Sequence, residues 1–322
     1  MTLSWPTPTL ADIRAAQNRI APIAVRTPII KLDWDDAPGE IYLKLELLQP
    51  IRAFKIRGAY NAMAALDRSE IAQGVWTASA GNHAQAVAMS ARALDVPCTV
   101  YVPDTAPRTK INNAIRYGAR VVELPVMEWV DIFRNRGYEH ASGFFVHPYS
   151  DPNVIAGQGV CGLEILEEMP DVETIIAPWG GGGLTSGIAS ATSAMAPQVR
   201  VIASEIETGA PLGPSLEAGH PVEVPYRPSF ADGIGTPFVN EEMYELATRL
   251  GIRAICTTLE QTADAVRIMI SRAAVTPEGA AATPLAAACN GGAGSGKTVL
   301  VISGGNIDST TLQTILAGGT PE

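Results

Sequence analysis

The sequence predicts an α/β protein of two lobes, each a parallel-rich sheet flanked by helices, and three observations lead there. The chain has 322 residues, 47% hydrophobic and 17% charged, a globular composition at a length that one hydrophobic core does not usually serve. Short apolar runs alternate with stretches of helical periodicity, the order that builds parallel sheets. Glycine-rich turns follow directly on several of the predicted strands, the end at which such sheets bind ligands.

In chain order, Thr9-x-x-Asp12 with Leu10, Ile13 and Ile20 signals a capped surface helix. Ile41–Leu45 reads as a strand, and a helix begun near Phe54 continues through Asn61–Leu66. Val75–Thr77 is a strand running into a Ser-Ala-Gly-Asn turn, followed by a helix at Gln85–Leu94. Cys98–Val102 and Val121–Leu124 are strands on either side of the helix Lys110–Tyr117. Further on, Thr174–Ala177 and Val199–Ser204 are strands separated by the helix Leu184–Met195. Helices at Leu259–Ala274 and Gly279–Ala288 precede a last strand, Thr298–Ser303.

A net charge of −10, from 33 acidic and 23 basic residues, argues against a nucleic-acid partner. No apolar run has the length of a membrane span. The segment Met1–Pro22 carries Asp12 and Arg14 and lacks the apolar core of a signal peptide. Cys98, Cys161, Cys256 and Cys289 are far apart with no CxxC pair, which reads as reduced core residues in a cytoplasmic protein.

Three places invite chemistry. Gly180–Gly183 stands between a strand and a helix, where four glycines bring backbone N–H groups and a helix N-terminus to one anion. It fits neither the dinucleotide fingerprint nor a P-loop. Gly291-x-x-x-x-Gly296-Lys297-Thr298 does match the P-loop pattern, but it leads from a helix into a strand, the reverse of what a P-loop needs. Ser79-Ala80-Gly81-Asn82-His83 offers N–H groups, a hydroxyl and an amide at a helix start, a nest suited to a carboxylate; His83 itself reads as structural. Lys55, one of five lysines against eighteen arginines, lies between Phe54 and Ile56. An amine in apolar surroundings has a depressed pKa and serves as a nucleophile, although on its own this residue reads equally as a lysine snorkelling from a helix start.

Together these segments resemble the fold type II pyridoxal-phosphate enzymes, whose fold is like that of the tryptophan synthase β chain, and within them the serine/threonine dehydratase and serine racemase group. Four motifs carry the resemblance in the family's order: Ala53-Phe54-Lys55-Ile56-Arg57-Gly58-Ala59, Ser79–Gln85, Gly180–Gly183 and Ser303-Gly304-Gly305-Asn306. His147-Pro148 and Ile155–Gly159 are similar to segments between the family's lobes.

The resemblance implies that pyridoxal 5'-phosphate is bound as a Schiff base on the catalytic Lys55, which then removes the Cα proton. It implies that Phe54, Asn82 and Leu184 belong to the cofactor site, with Asn82 on the 3-hydroxyl. Gly180, Gly181, Gly182 and Gly183 would hold the phosphate, and Ser303 would meet the ring nitrogen. Ser79, Ala80, Asn82 and His83 would receive the substrate carboxylate. A serine at the ring nitrogen makes a mild electron sink, which suits prompt loss of a β-hydroxyl. The implied reaction converts a β-hydroxy amino acid to a 2-oxo acid and ammonia.

The implied division is a large cofactor-binding domain (1–62 and 150–322) with a small domain (63–149) inserted in it, in a homodimer. The chain ends soon after the serine motif, so the expectation is no regulatory domain, no isoleucine feedback and a catabolic role. Three departures from the family pattern matter. Ala53 replaces a serine, opening space for a bulkier substrate such as phenylserine. Ala80 stands where racemases carry a second serine, so racemisation is expected to be weak. Glu205 is retained from an acidic metal-binding pattern, but Pro211 takes the place of its aspartate, so no metal is expected. A racemase, a 3-hydroxyaspartate dehydratase and a ligand-sensing protein are the competing readings. Lys55 argues against the last.

Overall fold

Thr9 caps the first helix as its sequence requires. Its hydroxyl accepts from the Asp12 amide, and the Asp12 carboxylate accepts from the Thr9 amide, so two helix-end N–H groups are satisfied reciprocally. The computed structural model describes residues 5–106, 108–294 and 296–322. Met1–Ser4 of the N-terminal segment and Ser295 of the P-loop-like stretch therefore lie outside the described residues.

Along the chain run α1 (Leu10–Ile20), β1 (Ile29–Lys31), β2 (Glu40–Lys44), α2 (Lys55–Ala64), β3 (Val75–Ala78), α3 (Asn82–Ala93), β4 (Cys98–Pro103), α4 (Arg108–Arg116) and β5 (Arg120–Leu124). Then come α5 (Val126–Asn135), β6 (Phe144–Phe145), α6 (Pro152–Glu168), β7 (Thr174–Pro178), α7 (Gly183–Met195), β8 (Arg200–Ile206), α8 (Leu212–Ala218) and α9 (Glu241–Arg249). The chain closes with β9 (Arg253–Thr257), α10 (Leu259–Ala273), α11 (Gly279–Ala287), β10 (Lys297–Val301) and α12 (Ser309–Leu316).

The strands form two sheets. One has the order β1-β2-β10-β7-β8-β9 and the other β5-β4-β3-β6. Every pairing is parallel except β1 with β2. Successive parallel strands need a crossover, and α3, α7, α8 and α9 lie between neighbours of this kind. The consequence is that the turns after β3, β7 and β10 all leave the C-terminal ends of parallel strands.

Helix α6 carries Gly157, Gly159 and Gly162, and these glycines are where its neighbours come close. A Cβ on Gly157 would lie 2.7 Å from the Arg57 carbonyl oxygen, and one on Gly159 would lie 2.9 Å from that of Gly187. Helices α2 and α7 thus pack backbone to backbone against α6. Asp151 caps α6 and Pro152 opens it, a sound helix start.

Several expectations are corrected. Helix α3 begins at Asn82 and not at Gln85, because the non-helical residue before it is Gly81 (φ −107°, ψ −142°); Asn82 and His83 are first-turn residues. Lys44 is fully buried on β2, where a lysine alternating along a strand ordinarily reaches solvent. Only Cys98 and Cys161 are core residues; Cys256, on the edge strand β9, and Cys289, just after α11, are exposed thiols. Ala53 is also fully buried and bridges Gly304, so its missing hydroxyl adds no room to an open cleft. The P-loop-like segment does run from α11 to β10, and Lys297 is paired there with Asp171.

Candidate active site

Lys55 is the first residue of α2. Its Nζ donates to the Pro148 carbonyl at 2.7 Å and lies 5.2 Å from the centre of the Phe54 ring. Burial pushes its pKa down to about 8, and the Glu278 carboxylate acts in the opposite direction. A position at a helix N-terminus adds to the disadvantage of the ammonium form. Behind Lys55 the backbone is tied to the end of β10: the Phe54 amide donates to the Ser303 carbonyl at 2.9 Å, and the Gly305 amide donates to that of Arg52 at 2.9 Å. The lysine segment and the C-terminal serine motif are therefore one unit.

Below it lies a sealed ionic network. Arg57 donates from Nε and Nη2 to Glu46 (2.7 and 2.8 Å), from Nη1 and Nη2 to Glu164 (both 2.8 Å), and from Nη2 to the Val25 carbonyl (3.1 Å). Lys44 completes it, donating to Glu164 at 2.7 Å and to the Thr27 carbonyl at 2.6 Å. Two cations face two carboxylates, so the network is neutral and holds α2 to β2 and α6.

Gly181 and Gly182 cannot carry side chains, and Gly183 is tight. A Cβ on Gly181 would lie 2.1 Å from the Tyr149 ring, one on Gly182 (φ +88°) 2.4 Å from the Trp179 ring, and one on Gly183 3.0 Å from Tyr149 Cα. Helix α7 starts at Gly183 without a side-chain cap, with Leu184 buried behind it. Helices α2, α3 and α11 also start here without side-chain caps, whereas α1, α6 and α10 are capped by Thr9, Asp151 and Thr258. An uncapped helix start with free N–H groups is a site for anions.

On the opposite wall, Ser79 Oγ accepts from the Gly81 amide at 3.2 Å, and Ala80 is half-buried against the core of the second sheet. His83 is buried. Its Nε2 donates to the Val146 carbonyl at 3.0 Å, and burial pushes its pKa down to about 3. His147 Nδ1 accepts from the Tyr149 and Ser150 amides, and burial, then Arg136, holds it well below the usual imidazole range. Both rings are neutral.

Sequence reasoning missed Glu278 and left Asn306 out of the site. Asn82 Nδ2 donates to Glu278 Oε1 at 2.8 Å and to Oε2 at 3.1 Å, and Asn82 Oδ1 accepts from Asn306 Nδ2 at 2.8 Å. The signal available was Glu278 itself, a glutamate where a helix cap is ordinarily Ser, Thr, Asp or Asn. Tyr149, also missed, lies over the glycine loop and donates to Asn240 Oδ1 at 2.8 Å.

A family model described as pyridoxal-phosphate dependent enzyme matches residues 20–305. The chain belongs to that family. It is 40% identical over 315 residues to an L-threonine ammonia-lyase of Thermotoga maritima, covering 97% of this chain and 79% of the relative. It is 36% identical over 307 residues to a serine racemase of Oryza sativa subsp. indica, covering 92% of this chain and 90% of the relative. The structure of maize serine racemase superposes with a TM-score of 0.90 at 33% identity, covering 97% of this chain and 98% of that one.

The residues present fit the family's cofactor, pyridoxal phosphate. The glycine loop leaves no room for side chains at Gly181 and Gly182 and ends on an uncapped helix start, as a phosphate dianion requires, and Lys55 supplies an amine shifted toward its neutral form. Glu205 shows no corresponding fit to a metal. Its carboxylate accepts from the Leu212 and Gly213 amides at 2.8 and 2.9 Å, and among the described residues no cluster of three His, Cys, Asp or Glu could hold an ion.

Proposed function

We propose that this chain is an ammonia-lyase of the dehydratase type, which releases ammonia from a β-hydroxy-α-amino acid of the threonine or serine class and leaves a 2-oxo acid. The observation that carries the reading is Lys55, a half-buried amine at the start of α2 whose pKa is lowered to about 8. The activity named for the Thermotoga maritima relative, L-threonine ammonia-lyase, agrees with it.

In this reading Lys55 Nζ would be the covalent anchor of the cofactor and the base that takes the substrate's Cα proton. Gly180–Gly183 and the start of α7 would hold the phosphate, and Ser303 would meet the ring nitrogen. The uncapped start of α3, from Ser79 to His83, would receive the substrate carboxylate. Asn82 would direct an amide hydrogen at the 3-oxygen. Pyridoxal phosphate supplies the electron sink that lets the Cα–H and Cβ–O bonds break. His83, with its pKa pushed down to about 3, and His147, held well below the imidazole range, are too weakly basic to compete with Lys55 as the base at the reacting carbon. The working unit is a homodimer, each copy divided into residues 1–62 with 150–322 and residues 63–149.

Purified protein given pyridoxal phosphate is expected to gain a visible absorption band, and Lys55→Ala to abolish it. Ammonia and 2-oxo acid release should then be compared for threonine, serine, 3-hydroxyaspartate and phenylserine. A protein that stays colourless overturns the reading. A racemase is the second reading, favoured by the rice relative. It is opposed by Ala80, whose methyl group cannot return a proton to the opposite face of the substrate. Enantiomer interconversion outpacing ammonia release would establish it.

A further inference from the structure

Asn82 is read above as the cofactor's 3-oxygen partner, and that role requires its amide to point one way only. Three contacts fix it. Asn306 Nδ2 donates to Asn82 Oδ1 (2.8 Å) and to the Ile51 carbonyl (2.9 Å), so Asn306 can present only hydrogens. Glu278 presents only oxygens, accepting from Asn82 Nδ2 and, at 3.1 Å, from the Asn306 amide. A flipped Asn82 would set amine against amine and oxygen against carboxylate. The two oxygens of one carboxylate subtend too narrow an angle to take both hydrogens of a planar amide nitrogen. One Asn82 hydrogen is therefore left over, with its direction fixed.

Glu278 is itself held rigidly. It precedes α11, its amide donates to the Gly304 carbonyl at 3.0 Å, and its carboxylate fills a slot that exists because residue 304 is glycine; a Cβ there would lie 2.4 Å from Oε1. Glu278 also acts on Lys55 across the site. The other titratable groups coupled to Lys55, His83 and His147, are neutral.

We infer that Glu278 is a positioning residue for the cofactor: through Asn82 it aims the hydrogen bond to the 3-oxygen. Asn306 shares that task but, unlike Glu278, brings no charge toward Lys55. The inference rests on the pyridoxal-phosphate role proposed for Lys55 and Asn82.

The test uses the full chain with Glu278→Gln, Glu278→Asp, Asn306→Ala, Asn82→Ala and the Asn82→Ala/Glu278→Gln double variant, each checked for wild-type circular dichroism. Two quantities are read without substrate: the dissociation constant for pyridoxal phosphate, and the pH dependence of Lys55 capture, measured by borohydride trapping and mass spectrometry. Glu278→Gln should weaken cofactor binding about tenfold, as loss of one charge-assisted hydrogen bond does, and lower the Lys55 pKa by about one unit. Asn306→Ala should weaken binding and leave that pKa in place. Glu278→Asp should keep the pKa near wild type, since the charge remains. The double variant should bind no more weakly than Asn82→Ala.

Additive losses in the double variant, or a Glu278→Gln protein with wild-type affinity and pKa, would overturn the inference while the wild-type band left the proposed function standing. A colourless wild type would remove both.

Discussion

Replacing Arg57 by methionine removes one charge from a network whose charged side chains are all buried. Four of the guanidinium's hydrogen bonds go to Glu46 and Glu164, and a fifth to Val25. After the change, Lys44 is the remaining cation for two buried carboxylates, with Thr27 and Gln49 as neutral donors to Glu46. Breaking a buried ion pair from one side costs about 3–5 kcal/mol. For a chain of this size that is a fall of about 10 °C in thermal midpoint.

The cost depends on pH in a direction the charges dictate. In the wild type, burial opposes the Glu46 charge, but Arg57 and the hydrogen bonds around it hold the carboxyl below the usual range. Its stabilisation is thus present above the ordinary carboxylate pKa and is lost as pH falls. In Arg57→Met the surplus carboxylate has its pKa raised instead, and proton uptake relieves the folded state as pH falls. The gap between the two proteins should therefore be widest near pH 8 and narrower at pH 5. Arg57→Lys, which keeps the charge but offers three donors in place of five, should fall between them. Thermal melts at the two pH values decide the matter. A variant within 2 °C of wild type, on the order of 1 kcal/mol, or a gap that does not change with pH, would refute the account.

Gly181→Ala puts a methyl where the Tyr149 ring lies 2.1 Å away; pyridoxal-phosphate titration should show about tenfold weaker binding, the scale of one overpacked contact. Glu205 has its pKa raised to about 7 by burial, against the pull of two backbone N–H groups. A raised carboxyl stabilises the fold at low pH and loses that contribution as pH climbs through about 7. Melts of Glu205→Gln against wild type should accordingly shift in the variant's favour by about 3 kcal/mol between pH 5 and pH 8. In the proposed site Ala80→Ser would supply a hydroxyl to the face of the substrate away from Lys55, and chiral chromatography of L-serine incubations should show more D-serine relative to ammonia than wild type gives.

What could be read from the sequence was what is local. Gly180–Gly183 and Ser79–His83 announce themselves because the residues that shape each turn are adjacent in the chain, and a strand precedes both. What the sequence leaves unread, or misreads as at Ala53, concerns residues whose reason is elsewhere. Gly157, Gly159 and Gly162 look like helix breakers by propensity, and α6 tolerates them because α2 and α7 come to backbone contact there. Lys44 looks like a surface lysine because Glu164, its partner, is 120 residues away. Ala53 looks like added room beside the substrate, but the strand-like bridge to Gly304 turns it into the core. Strand β6, two residues long, has too little pattern to read. Glu278 is 196 residues from Asn82, and neither residue reveals the other.

These distant contacts explain why Lys55 has the pKa it has. Three carboxylates lie near the start of α2: Glu46, Glu164 and Glu278. Left alone, each would favour the ammonium form. The first two are matched by Arg57 and Lys44 in a sealed network and present no net charge to Lys55. Glu278 alone then acts on it, and burial outweighs Glu278, so the pKa settles at about 8 and not at its ordinary value near 10.5. At pH 7 the neutral fraction rises from a few in ten thousand to about a tenth. Losing Arg57 would therefore do more than loosen a helix. It would expose Lys55 to a second uncompensated carboxylate, raise its pKa and slow cofactor capture at neutral pH. Arg57→Met should show that slowing even at temperatures where it remains folded.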